Sequence, residues 1–380
     1  MPVIPTLQML TEDGTRVPAS TEHFPETAAE FEAHAAELTP HKLRDAYRHM
    51  VRTRAFDTEA TNLQRQGELG LWVPSRGQEA GQVGSALATP SADFVFPSYR
   101  EHAVAEVRGL DLPRILPVMR GTRHGGWNAT EYNFHLYTFV IGAHTLHAVG
   151  YAMGLQQDRR RGLSTDGSGN AVVCYLGDGA TSQGDSNEAL VFAASAQAPV
   201  LFIVQNNQWA ISVPVETQSR VPIAQRADGF GIPRLRVDGN DVLASYAATR
   251  FALTHMREHG GPFYLEFVTY RMGAHTTSDD PTRYRTREEE AAWAAKDPIA
   301  RLRALLESEG AAGEDFFREV DDDAARLATR TRESTRVNRA GDTAEMFDHV
   351  YATAHRHVAH ERREWESYNS RAVAATGGAR

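Results

Sequence analysis

With 380 residues, 41% of them hydrophobic and 23% charged, the chain has the composition of a soluble globular protein long enough for one large domain or two. Its net charge of −9 argues against an extended basic surface for nucleic acid, and no apolar stretch reaches the ~20 residues a membrane helix needs. The N-terminus has no basic segment followed by an apolar core, so no secretory signal is read there and a cytoplasmic location is expected.

Residues 1–40, rich in Pro, Thr, Glu and Ala with weak periodicity, read as an N-terminal arm. Thr39 followed by Pro40 is a cap with proline at the first helical position, and Leu43, Tyr47, Met50 and Val51 continue one apolar face. Strands are predicted over 171–176, 200–204 and 263–269, each short, apolar and rich in β-branched or aromatic residues, as parallel strands covered on both faces should be. A helix of small and apolar residues over 186–196 separates the first two, which makes a βαβ unit. The fold class is therefore α/β with a mostly parallel sheet flanked by helices. The single cysteine, Cys174, falls inside the first of these strands and reads as a buried structural thiol. Beyond residue 285 the character changes to charged amphipathic helices, predicted over 288–296, 298–309, 316–330 and 343–368, with Asp297-Pro298 a second cap-and-proline start. The division that follows is an arm (1–40), an α/β domain (41–310) and a helical C-terminal extension (311–380).

Chemistry gathers at two strand ends. The first strand runs into Gly177-Asp178-Gly179 and the second into Asn206-Asn207. Carboxyl ends of neighbouring parallel strands open on one crevice, where ligands of α/β proteins bind. Magnesium takes six oxygens in an octahedron, commonly one or two from carboxylates and the rest from phosphate and water. Asp178 and Asn207 supply two such oxygens, and the helix after Gly179 offers N-terminal amides for phosphate.

Six segments extend the pattern: Gln64-Arg-Gln-Gly-Glu-Leu-Gly, Arg76-Gly-Gln-Glu-Ala, Pro97-Ser-Tyr-Arg-Glu, Gly177-Asp-Gly-Ala-Thr-Ser-Gln-Gly-Asp, Asn206-Asn-Gln-Trp-Ala-Ile-Ser-Val-Pro, and His275-Thr-Thr-Ser-Asp-Asp-Pro-Thr-Arg-Tyr-Arg. In this order, across about residues 41–310, the chain resembles the alpha subunit of the thiamine-diphosphate-dependent decarboxylating component of 2-oxoacid dehydrogenase complexes, the branched-chain 2-oxoacid and pyruvate family.

The resemblance implies a thiamine-diphosphate-binding fold and roles for individual residues. Asp178, Asn207 and the carbonyl of Trp209 match the magnesium ligands. Tyr99 and Arg100 match the pair that contacts the diphosphate, a task suited to a guanidinium fork. Gly179 and Ala180 fall where backbone amides meet it, Ile141 beside the aminopyrimidine, and Leu71, with Tyr99, on the substrate wall. His275 falls on a loop beside the reactive carbon, where it would steady the decarboxylation intermediate or move a proton during acyl transfer. Arg271 and Asp279 match loop-organising positions. Thr276 stands where the mammalian branched-chain enzyme carries a regulatory phosphoserine, so the resemblance does not carry that regulation over to this chain. His144 replaces a glutamine that helps bind a monovalent cation in branched-chain relatives, and no such ion is expected. His102, His124 and His147 read as ordinary polar packing.

The implied activity is oxidative decarboxylation of a 2-oxoacid with acyl transfer to a lipoyl group. The glutamate needed beside the aminopyrimidine belongs to a separate beta subunit, so the implied working unit is an α2β2 heterotetramer docked on a lipoyl acyltransferase core. The segments from Asn62 and Val237 favour a branched-chain 2-oxoacid; pyruvate and acetoin dehydrogenase alpha subunits are the alternatives, and a noncatalytic partner-binding subunit is the reading outside enzymes.

Overall fold

The computed structural model describes residues 4–123, 125–163, 170–337 and 343–375. Its strands, in chain order, are β1 (Thr6–Leu7), β2 (Phe94–Phe96), β3 (Val172–Gly177), β4 (Val200–Asn206), β5 (Trp209–Ala210), β6 (Val213–Pro214), β7 (Arg234–Asp238) and β8 (Phe263–Val268). Six of them form one parallel sheet in the order β1-β7-β8-β4-β3-β2, while β5 and β6 make a separate small hairpin. The three predicted strands are β3, β4 and β8, shifted by a residue or two at their ends.

Alternate residues of these strands point to opposite faces, and both faces are covered. Val173, Tyr175, Leu201, Ile203, Leu265 and Phe267 enter one core; Val172, Cys174, Leu176, Phe202, Val204 and Tyr264 enter the other. Double burial is why the strands read as continuous apolar runs rather than alternating ones. Cys174 is wholly buried in the second core, and burial pushes its thiol far above the usual range, as an inert structural cysteine requires.

The long helix Pro40–Arg65 starts as predicted, with the Thr39 hydroxyl accepting the amide of Lys42 at 3.4 Å. Gly184–Ala196 crosses from β3 to β4 on the second face. Two readings from sequence differ from the structure. The segment before residue 40 is no free arm: β1 pairs with β7, and the helix Ala28–Ala36 sinks Phe31 into the core. One carboxylate does much of this tethering. Asp241 accepts the amides of Met9 and Leu10 at 2.6 Å with one oxygen, and caps the helix Val242–His259 through Leu243 and Ala244 with the other. At the other end, the stretch expected as one helix over 343–368 breaks into a turn, Thr343–Phe347, and a helix, Arg356–Ala375. The residues between (Asp-His-Val-Tyr-Ala-Thr-Ala-His) are mostly weak helix formers, and they are exposed, so core packing does not override that. The helix Glu314–Val337, by contrast, lies along Pro40–Arg65 and lends Phe317, Val320 and Leu327 to the main core. The first core thus draws on residues from Leu7 to Leu327, across both boundaries read from the sequence.

Candidate functional site

The register of the sheet builds the site. Gly177 of β3 lies opposite Gln205 of β4, so Asp178 and Asn207 leave adjacent strands side by side. They border a cavity of about 220 Å³ at the carboxyl ends of these strands, which Tyr99, Arg100, Ile141, Gly179, Ala180, Trp209 and His275 also line. These nine residues come from five stretches of chain, and the fold brings them to one place. Leu71 is not among them; half-buried, its amide is tied to the carbonyl of Met119 at 3.2 Å, outside the lining. Its neighbour Trp72 bonds Thr277 of the loop that carries His275, so Leu71 lies next to the cavity's supporting segment without lining the cavity.

Three oxygens converge here. The Asn207 side-chain oxygen faces an Asp178 carboxylate oxygen at 3.2 Å and the Trp209 carbonyl at 3.1 Å. Acceptors facing one another repel; the Trp209 amide and Arg271 donate to two of these oxygens from outside (3.3 and 2.9 Å), and turning the amide over would make both mutual contacts hydrogen bonds. The spacing suits a different solution. Cis oxygens around magnesium, each about 2.1 Å from the metal, sit about 3 Å apart. Among the described residues no three His, Cys, Asp or Glu side chains cluster as a metal cage. A cation at this place would draw one carboxylate, one amide and one carbonyl from the chain, and take its other oxygens from a ligand or water. Asp178 is 1% exposed, and burial raises its pKa against the hydrogen bond from Gln218, which donates to Oδ2 at 3.1 Å. Neutralising that buried charge is what a cation would do.

The cationic half of the site is Arg100. It is buried, and among the described residues its guanidinium meets no carboxylate: it donates to the carbonyls of Pro74 and His275 (the latter at 3.1 Å) and lies 3.3 Å from the His275 ring, over the face of Tyr99. A buried guanidinium without a counter-charge is a standing demand for an anion. Gly179 and Ala180 open the turn Gly179–Ser182, where backbone amides lack helical partners. The long helix, predicted from residue 186, starts at Gly184, so the amides beside the cavity belong to this turn and not to the helix's own N-terminus. A side chain at Gly179 would come within 2.7 Å of Ala210, so only glycine lets the hairpin close over the cavity.

Opposite this end sits His275. Its amide donates to Asp279 at 2.8 Å, and Tyr284 donates to the same carboxylate oxygen. Arg271, fully buried, clamps the hairpin to this loop by donating to the carbonyls of Trp209 (2.9 Å) and Ile211 (2.7 Å) and to the hydroxyl of Tyr284 (2.9 Å). The clamp also holds strain: Gln208 and Ile211 adopt left-handed φ values of 73° and 56°, a costly state for β-branched Ile211. Burial, then Arg100 and Arg271, push the His275 pKa down to about 3, which keeps the imidazole neutral. Thr276 is half-buried beside it.

Several lining residues carry no signal outside the motifs. Glu101, wholly buried, accepts from the Ser98 hydroxyl, the Arg100 amide and Gln205. Gln78 reaches Asn207 at 3.4 Å. Glu101 and Gln78 stand within the quoted Pro97 and Arg76 segments, which was the available hint; Gln218 stood in none. His144 lines the cavity, 1% exposed, donating to the Tyr175 carbonyl at 2.6 Å, and burial lowers its pKa to about 4. His102 packs in the interior as expected, whereas His147 is exposed; His124 lies outside the described residues.

An oxygen triad for a divalent cation, an unpaired buried arginine and an amide-bearing turn, all at the carboxyl edge of a parallel sheet, define a cradle for a metal-bound phosphate ester or diphosphate. Residues 47–336 match the family of the dehydrogenase E1 component, and the chain belongs to that family. It is 47% identical over 317 residues to the 3-methyl-2-oxobutanoate dehydrogenase subunit alpha of Mycobacterium tuberculosis, covering 83% of this chain and 84% of that one. It is 40% identical over 307 residues to the pyruvate dehydrogenase E1 component subunit alpha of Bacillus cereus (80% and 77% covered), and 40% identical over 295 residues to that of Bacillus subtilis (77% of each).

Proposed function

We propose that the chain is the alpha subunit of a branched-chain 2-oxoacid dehydrogenase, binding thiamine diphosphate through magnesium at Asp178, Asn207 and the Trp209 carbonyl. The observation that carries this reading is the convergence of those three oxygens beside Arg100, a buried guanidinium with no carboxylate partner among the described residues. Tyr99, Gly179 and Ala180 complete the diphosphate end, Ile141 packs beside the ring system, and His275 faces the reactive end. When bound, the cofactor supplies the carbanion chemistry that releases carbon dioxide from a 2-oxoacid before the acyl group passes to a lipoyl arm. The chain's own part is to hold charge at one end and keep a neutral imidazole at the other, able to take a proton.

Two features support dependence on a beta subunit, in an α2β2 assembly on a lipoyl acyltransferase core. Glu101 is the only glutamate lining the cavity among the described residues, and its oxygens are already occupied by three donors, so no free glutamate faces the aminopyrimidine position. Around the cavity mouth, Phe139, Val140, Ile141 and Ile211 are exposed, as are Tyr151, Val191 and Phe192 on nearby helices, an apolar surface suited to a partner. No helix among the described residues is long and apolar enough to cross a membrane.

The test is reconstitution with the beta subunit, thiamine diphosphate and magnesium, comparing carbon dioxide release from 2-oxoisovalerate and pyruvate. Preference for 2-oxoisovalerate, with no turnover by the chain alone, is expected. Preference for pyruvate would replace the branched-chain reading by the second one, which the 40% relatives favour.

A further inference from the structure

Asp57 sits in the middle of the helix Pro40–Arg65, 3% exposed and outside the cavity lining. A carboxylate buried there needs partners, and it spends both oxygens on one short segment of chain. Oδ1 accepts the Trp72 indole N–H at 2.7 Å; Oδ2 accepts the backbone amides of Ser75 and Arg76, each at 3.1 Å. Three donors and no acceptor converge on it, the arrangement an ionised carboxylate requires.

The segment 72–76 held in this way is where both cavity-facing groups rest. Trp72 exchanges two hydrogen bonds with Thr277, giving its amide to the Thr277 hydroxyl at 3.1 Å and taking the Thr277 amide at 3.0 Å. The Pro74 carbonyl accepts the Arg100 guanidinium, and the Arg76 carbonyl accepts the Met272 amide at 3.1 Å. The loop 272–277, with His275 in its centre, is therefore pinned at both ends to a rail whose other side is fixed by Asp57. The fit has no slack. A Cβ at Gly77 would lie 2.2 Å from the Tyr270 carbonyl, and one at Gly273 would lie 3.1 Å from Pro74.

We propose that Asp57 is a positioning residue for His275 and Arg100, acting through segment 72–76 rather than by touching any ligand. The proposal rests on the reading of His275 and Arg100 as groups facing the cofactor. In Asp57→Asn, an amide N–H₂ must face either the indole or the two backbone amides, donor against donor, so the rail is released on one side.

The experiment uses the complex with the beta subunit and compares Asp57→Asn with Asp93→Asn. Asp93 is an equally buried carboxylate that holds Ala171 and Arg257, away from the cavity. Amide exchange and steady-state kinetics are both read. Expected for Asp57→Asn is exchange faster by about tenfold or more in 272–277 with β3 unchanged, and kcat lower by about tenfold with KM within about twofold. Asp93→Asn should leave the loop's exchange at wild-type rates. Introducing Asp57→Asn into a His275→Ala background should cost little further activity. Should Asp57→Asn not fold, Trp72→Phe keeps the ring and removes one donor, with the same loop loosened by about threefold. Unchanged loop exchange, a uniform rise throughout the chain, or an undiminished activity loss in the His275→Ala background would overturn the proposal. If the wild-type complex decarboxylates no 2-oxoacid, the functional reading fails, while the exchange comparison still decides the role of Asp57.

Discussion

His102 makes the protein's acid sensitivity predictable. Its ring is wholly buried, stacked on Trp72 with centroids 4.7 Å apart; Nε2 donates to the Val73 carbonyl at 2.9 Å and Nδ1 accepts the Tyr137 hydroxyl at 2.8 Å. That pattern has room for one ring proton. Burial, opposed by the hydrogen bond to Val73 and aided by the nearby Arg100 charge, depresses the pKa from 6.5 to about 3. Because the folded pKa lies below the unfolded one, the stabilisation is fully present above pH 6.5 and is lost as pH falls toward 3. The slope for one group is about 1.4 kcal/mol per pH unit, so at pH 5.0 the loss is about 2 kcal/mol. His144, buried with a pKa of about 4 for the same primary reason, adds a similar amount. The perturbation is His102→Gln, which retains a donor for Val73 but does not titrate. Urea unfolding at pH 7.5 and pH 5.0 reads the effect. The variant should be less stable at pH 7.5, yet lose about 2 kcal/mol less than wild type on acidification. An equal loss in both proteins would refute the buried-neutral assignment.

Magnesium with inorganic pyrophosphate should raise the unfolding midpoint of the chain, by about 2.7 kcal/mol equivalent at a hundredfold excess over Kd, and Asp178→Asn should abolish most of that shift; an undiminished shift in the variant would remove Asp178 from the metal site. Gly77→Ala places a Cβ 2.2 Å from a backbone oxygen at φ 96°, so a loss above about 3 kcal/mol is expected in chemical denaturation, and one below about 1 would mean the segment yields. The positive field of Arg100 helps depress His275, so pyrophosphate bound beside that arginine should raise its pKa from about 3. NMR titration of the imidazole with and without pyrophosphate checks the sign, and no upward movement would place the anion elsewhere.

What the sequence made legible was whatever local composition encodes. β3, β4 and β8 stand out because burial on both faces leaves unbroken apolar runs, and Asp178 and Asn207 stand out because each ends such a run. Thr39-Pro40 and Asp297-Pro298 mark helix starts through chemistry confined to two residues. The misses share a cause: they depend on partners far along the chain. β1 is two residues long and exists because Asp241, more than two hundred residues away, takes the amides of Met9 and Leu10. β2 is three residues, and β7 carries half-exposed arginines that hide its alternation. Gln218 reaches Asp178 from a four-residue helix that no motif marks. Leu71 adjoins the cavity-supporting segment 72–76 in sequence but is not part of the lining, since adjacency along the chain does not fix which residues face a cavity.

The two ends of the cavity are built differently, and this bears on what the chain can do alone. The diphosphate end rests on strand termini fixed by sheet register, with Asp178 and Asn207 set by the pairing of Gly177 with Gln205. The other end rests on a loop held by side chains: Arg271 on two carbonyls, Asp279 on the His275 amide, Asp57 on the rail beneath. Elements in a sheet core open only with the whole fold, whereas a strapped loop can open locally at lower cost. Anchoring of the diphosphate should therefore survive in the isolated alpha chain, while the placement of His275 should tighten only when a partner covers Ile141 and Ile211. On that basis pyrophosphate binding is expected of this chain alone and turnover only of the assembly.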